Sequence, residues 1–171
     1  MIPDILEEIR LALAAVDEAQ ERAFADALAQ ASDVFVTGRG RSGLMAAAFA
    51  VRLVHLGKRA HVVGAPTTPA VTKGALVVAC SGSGRTRCTA AHAEQARAAG
   101  AQVWALTQEP SSPLAAAAHH ALLIPAVRSA QPGGSAFEQA LLVFLDSVVL
   151  RLMATLGETP EAMRLRHTNL E

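Results

Sequence analysis

Cysteine is scarce in this chain: two residues, Cys80 and Cys88, among 171. Two are too few for a disulfide framework. Cys80 lies in an apolar run, where a small buried hydrophobe is the plain reading, and no cysteine spacing of metal-site type occurs. An excess of either charge is also missing, since Lys plus Arg and Asp plus Glu number 15 each. No basic field therefore exists to draw nucleic acid or an anionic membrane, and a phosphate can be bound only by local groups. Long uncharged apolar runs are absent too. The longest candidate, Ala136 to Leu156, is interrupted by Glu138, Asp146 and Arg151, which argues against a membrane span. Asp4, Glu7 and Glu8 come early, without a basic n-region, so no secretory signal is expected and the cytoplasm is the expected compartment.

Just over half the residues are hydrophobic, enough for a proper core, and the length suits one domain spanning 1–171. The first thirty residues predict helix: Ile2, Ile5, Leu6, Ile9, Leu13 and Val16 recur at helical spacing, continued by Ala23, Phe24, Ala27 and Leu28. From Asp33 onward, short β-branched runs alternate with Ala-rich stretches. The runs are 34–36, 61–63, 76–79, 103–106 and 121–124. They are continuously apolar, as strands of a parallel sheet covered on both faces should be. Helices are predicted over 42–56, 85–99 and 112–119, with Gly57 and Gly100 as C-terminal stops; 64–74 reads as a loop. The result is a three-layer α/β sandwich with five parallel strands. A long helix over 135–156 is apolar nearly all round, Leu145 included. It must be buried on several sides, which makes a subunit interface plausible.

Ligands of open parallel sheets bind beyond the carboxyl ends of the strands, and two glycine-rich turns fall there. The first, Gly38-Arg39-Gly40-Arg41-Ser42-Gly43, matches the dinucleotide pattern G-x-G-x-x-G. However, the second strand ends without the acidic ribose partner such a site needs, which argues against a nicotinamide cofactor. The second turn is Ser81-Gly82-Ser83-Gly84-Arg85-Thr86. Three hydroxyls, two glycines and a following helix N-terminus form a cradle for a phosphate dianion with no lysine required. A simple N-cap needs only one of those serines.

At these residues the chain resembles the sugar isomerase (SIS) domain family. Ser81-Gly82-Ser83-Gly84-x-Thr86 is similar to its phosphate loop, and Thr107 to Ala117 to its segment after the fourth strand. GRGRSG with Phe49 to Gly57, Gly64 to Pro69, the PGGSAFEQALLVFLDSVV helix and the ending Arg166 to Glu171 resemble one branch of that family. That branch interconverts D-arabino-hex-3-ulose 6-phosphate and fructose 6-phosphate through an enediol. The resemblance implies a flavodoxin-like parallel sheet, a sugar-phosphate substrate, no cofactor or metal, and a dimer or tetramer. It also implies 3-hexulose-6-phosphate synthase as a pathway partner. Arg85 stands where the family loop usually has Glu, and the loop 126–131 is short.

The implied chemistry needs a phosphate anchor, a base and a donor to the enediolate oxygens. Ser42, Ser81, Gly82, Ser83 and Thr86 are the expected phosphate binders. Glu138 is the candidate base, although Ser135-Ala136-Phe137-Glu138 also reads as a capping box, S-x-x-E. His167 is the second candidate catalytic group, since an imidazole titrates near working pH, with a solvated tail residue as the plain alternative. Arg41 can orient sugar hydroxyls or sit on the surface. His119 and His120 lack metal-type spacing and read as a helix end. Two other functions stay open: an aldose–ketose isomerase for arabinose 5-phosphate or a heptose phosphate, and a non-catalytic sugar-phosphate-sensing module. The sensing module normally comes with a DNA-binding domain, for which this chain has no room and no basic surface.

Overall fold

The computed structural model describes residues 1–170. Glu171, the last residue of the C-terminal resemblance, lies outside the described residues. The predicted N-terminal helix is two: α1 (Ile2–Ala14) and α2 (Glu18–Gln30). Asp17 makes the break, its carboxylate accepting from the Gln20 N–H at 2.8 Å to cap α2. The chain then alternates β1 (Val34–Gly38), α3 (Gly40–His55), β2 (Ala60–Val62), β3 (Leu76–Cys80), α4 (Arg87–Ala98), β4 (Gln102–Thr107), α5 (Pro113–Ala117) and β5 (His120–Leu123). The long helix α6 covers Ser135–Leu156 as predicted. A last short helix, α7 (Pro160–Leu165), is capped by the Thr159 hydroxyl where the sequence suggested only a tail.

All five strands are parallel, in the order β2-β1-β3-β4-β5. Side-chain alternation sends one set to each face. Val34, Val36, Val78, Leu106 and Leu122 face α1, α2, α3 and α6 in the larger core, with Phe24, Phe49 and Phe144. Phe35, Val77, Ala79, Val103 and Ala105 face α4 and α5 in a thinner, alanine-rich layer. Helix α6 is long and apolar enough to span a bilayer by composition alone. It instead buries Phe137, Leu141, Leu145, Val148, Leu152 and their neighbours within this subunit, and is a core helix.

The strand order reverses direction between β1 and β3. At such a switch point the connections leave to opposite faces and open a crevice at the strand ends. Gly38 pairs in register with Cys80, so the two glycine-rich turns stand side by side at that crevice.

Candidate functional site

The phosphate-loop candidate is held from beneath by the turn after β4. The Thr107 hydroxyl donates to the Gly82 carbonyl at 3.1 Å, and the Gln108 N–H donates to the same oxygen at 3.0 Å. The Leu114 N–H donates to the Gly84 carbonyl at 3.0 Å. Gly84 has φ +61°, and a Cβ there would lie 2.0 Å from Ser112 Oγ. Only glycine fits this turn. Thr107 and Ser112 are buried structural partners of the loop that residue-by-residue reading overlooked, although they lie in the segment that carries the family resemblance.

Within the loop, Ser81 Oγ and Thr86 Oγ1 are 3.1 Å apart, and the Arg85 N–H donates to Ser83 Oγ at 3.2 Å. Thr86 occupies the N-cap of α4, yet its hydroxyl does not cap that helix. The first amides of α4 therefore have no side-chain acceptor and are available to an anion. Ser42 sits in the first turn of α3, half-buried, on the neighbouring turn. The fingerprint glycines serve packing. A Cβ on Gly38 would lie 2.9 Å from the Gly43 Cα, and one on Gly43 would lie 2.7 Å from the Gly38 carbonyl oxygen. Strand and helix touch there through bare backbone.

The capping-box reading of Glu138 is overturned. The N-cap of α6 is Gly134, with no side-chain cap. Ser135 is already helical, and its hydroxyl donates to the Pro132 carbonyl at 2.8 Å. The Glu138 carboxylate, only 13% exposed, instead pairs through Oε2 with Arg41 Nε. Arg41, itself largely exposed, is held at the crevice by that pair. Phe137 lies against Gly82, whose added Cβ would meet Phe137 Cδ1 at 3.0 Å. The N-termini of α3, α4 and α6 therefore meet at one place, with their positive dipole ends around the crevice.

His167 lies elsewhere in its own chain. Arg166 pairs with Glu158 at 2.7 Å and donates to the His55 carbonyl at 2.8 Å, closing the C-terminus of α3. This lays the His167 ring 5.0 Å from the His55 ring, beside a cavity of about 520 Å³ lined mainly by α6 and α7 residues such as Val149, Met153 and Met163. Arg41 and His55 are at opposite ends of α3, roughly 20 Å apart at 1.5 Å per residue. One subunit thus brings together Ser42, Ser81, Gly82, Ser83, Thr86, Arg41 and Glu138, and leaves His167 on the far side. Burial, His167 and Arg52 push the His55 imidazole below its ordinary range. His120 opens β5 and His119 stands just before it, so neither ends a helix. His119 Nδ1 accepts from the Val103 N–H, and His120 stacks on Trp104. Among the described residues no cluster of three or more His, Cys, Asp or Glu is placed to hold a metal ion.

The model of the SIS domain family matches residues 27–156. A Bacillus subtilis 3-hexulose-6-phosphate isomerase is 37% identical, with 99% of this chain and 97% of the relative covered. One from Mycobacterium gastri is 39% identical over 98% and 88%. A crystal structure from Methanococcus jannaschii, for which a molecular function of 3-hexulose-6-phosphate isomerase was inferred, superposes with a TM-score of 0.90 at 31% identity. It covers 98% of this chain and 97% of that one.

Proposed function

The chain belongs to the SIS domain family, and on that premise we propose that it is a 3-hexulose-6-phosphate isomerase, its whole length working as one SIS domain. The Arg41–Glu138 pair beside the phosphate loop is the observation that carries this reading. Near-full-length similarity to relatives of that name supports it. The phosphate sits in the cradle of Ser42, Ser81, Ser83, Thr86 and the α4 amides, and this anchor sets the distance from C6 to the reacting carbons. Glu138 takes the proton from C2 of the hex-3-ulose, giving a 2,3-enediol. The proton returns at C3, and the carbonyl ends at C2 as in fructose 6-phosphate. Arg41 pairs with Glu138 Oε2 and orients that side chain at the crevice. It then stands within reach of the enediolate oxygen, so the charge that leaves Glu138 stays beside the same guanidinium.

The open end of this site is completed by a second copy. Leu44, Val51 and Val54 on α3, with Val143 and Leu150 on α6, are large apolar side chains left exposed on neighbouring helices. Their association into a dimer or tetramer brings His167 of one subunit to the Glu138 site of the next, as the acid–base group at the substrate oxygens. The protein works in the cytoplasm, downstream of a 3-hexulose-6-phosphate synthase that supplies its substrate. The test is a panel of sugar phosphates followed by NMR. Conversion of hex-3-ulose 6-phosphate to fructose 6-phosphate is expected, with solvent deuterium appearing at C2 of substrate or C3 of product. Turnover of arabinose 5-phosphate or a heptose phosphate in preference would overturn it.

A further inference from the structure

One polar cluster beside the crevice has no part in this chemistry. Cys88 is the second residue of α4 and partly exposed. Its Sγ accepts from Arg39 Nε at 3.2 Å and Nη2 at 2.8 Å. His92, one turn on and on the same helix face, places Nε2 3.5 Å from that sulfur. The opposite ring nitrogen, Nδ1, is 2.8 Å from the buried Thr37 hydroxyl, which fixes the orientation of the ring.

We propose that Cys88 is a modification site, a nucleophilic thiol served by Arg39 and His92, that takes small disulfides and closes the neighbouring sugar-phosphate pocket when it does. A guanidinium only donates hydrogen bonds and does not lose its proton, so two bonds from it suit a sulfur anion. The first turn of α4 adds the positive end of its dipole. Burial and the Arg39 charge push the His92 imidazole below its ordinary range. It is therefore neutral near neutral pH and free to accept the thiol proton. The sulfur then attacks one sulfur of a disulfide RS–SR. The S–S bond breaks, a Cys88–S–S–R bond forms, and RS⁻ leaves and takes up the proton. Cys88 is oxidised and one R–S group is reduced; excess dithiol reverses the step. Cys80 offers no competition, because burial in β3 pushes its thiol up to about 12.

The coupling to the pocket is steric. Arg39 is the N-cap of α3, two residues before Arg41, and Cys88 is two residues past Thr86. A group on Sγ must displace the Arg39 guanidinium from its two bonds to the sulfur, beside the turn that carries Arg41 and Ser42. This gating rests on the isomerase reading; the reactivity of the thiol does not.

The experiment is labelling of the native protein by an aromatic disulfide with a coloured leaving thiolate. One thiol should react about tenfold or more faster than glutathione at the same pH, and Cys88→Ser should abolish that phase. His92→Gln and the exposed-site variant Arg39→Gln should each slow it several-fold. A Cys88 no faster than glutathione, or variants that label at the wild-type rate, would overturn the thiol assignment. In the second arm, labelled wild type should lose isomerisation and regain it with dithiothreitol, while treated Cys88→Ser keeps full activity. Labelled protein that still turns over would overturn the gating. An unlabelled protein without turnover would count against the isomerase reading instead, and the labelling rates would still decide on the thiol.

Discussion

Replacing Glu138 by Gln removes the proposed base and an ion-pair partner together, while the start of α6 stays intact because Glu138 takes no part in its cap. The variant should keep the wild-type melting temperature within a degree or two and bind fructose 6-phosphate. It should lose isomerisation by about a thousandfold or more, in the range expected of a lost general base, together with exchange of the C2 hydrogen into deuterated water. Near-normal exchange would place the base elsewhere. Ser83→Ala removes one proposed donor to the phosphate and one acceptor for the Arg85 N–H. A hydrogen bond to a charged group contributes about 1.5–3 kcal/mol, so KM for the sugar phosphate should rise about ten- to hundredfold with little change in stability. Gly84→Ala acts on the fold instead: its Cβ would lie 2.0 Å from Ser112 Oγ, at φ +61°. A cost of about 2–4 kcal/mol is expected from overpacking and the left-handed backbone, read by urea denaturation.

At the scale of elements, α6 shows how far sequence periodicity reaches. Its span was legible to the residue, because a nearly all-apolar pattern followed Pro132-Gly133-Gly134. Which of its faces stays uncovered was not legible, since nearly every position is apolar. Leu145, an obvious interface candidate in the sequence, is buried in its own subunit, whereas Leu150 is 68% exposed. Leu145→Glu should therefore prevent folding, and Leu150→Glu should fold yet sediment as a smaller species. A Leu150→Glu protein that assembles like the wild type would move the interface off this face. The five strands were equally readable, as short β-branched runs between Ala-rich helices. The helical break at Asp17 was missed because apolar spacing continues across it, and α7 because six residues are too few to show a helical period. For the site, the phosphate loop was visible from hydroxyl and glycine spacing. The pairing of Arg41 with Glu138 was not, as it joins residues 97 apart in sequence. Neither was the far placement of His167, which depends on Arg166 closing α3. If His167 serves a neighbour, mixing inactive Glu138→Gln and His167→Ala subunits should restore part of the activity. No rescue in mixtures shown to exchange subunits would leave His167 outside the site.

For the whole molecule, three histidines set a pH limit, His119 among them, its imidazole lowered by burial with help from Arg97 and His120. Burial lowers the imidazole of His55, with help from His167 and Arg52, and that of His92, with help from Arg39. Below an unfolded value of about 6.5 the unfolded chain binds these protons first. Stability is thus unaffected by any of the three groups above that pH and falls as the pH drops through and below it. The melting temperature should decline between about pH 7 and pH 5, and His55→Gln, if folded, should flatten the decline. Constant melting over that range would refute the assignment. Helix α1 carries a last consequence. Its Glu8 accepts from Ser129 Oγ at 2.8 Å and Gln131 Nε2 at 2.6 Å, and Gln131 in turn bonds Gln139 on α6. The strap that leads into Glu138 is thus moored to residues that the family match, which begins at 27, leaves out. Trimming the gene to the matched block would cut that mooring and would also remove Ala12 and Phe24 from the larger core, so the trimmed protein should melt well below the full chain.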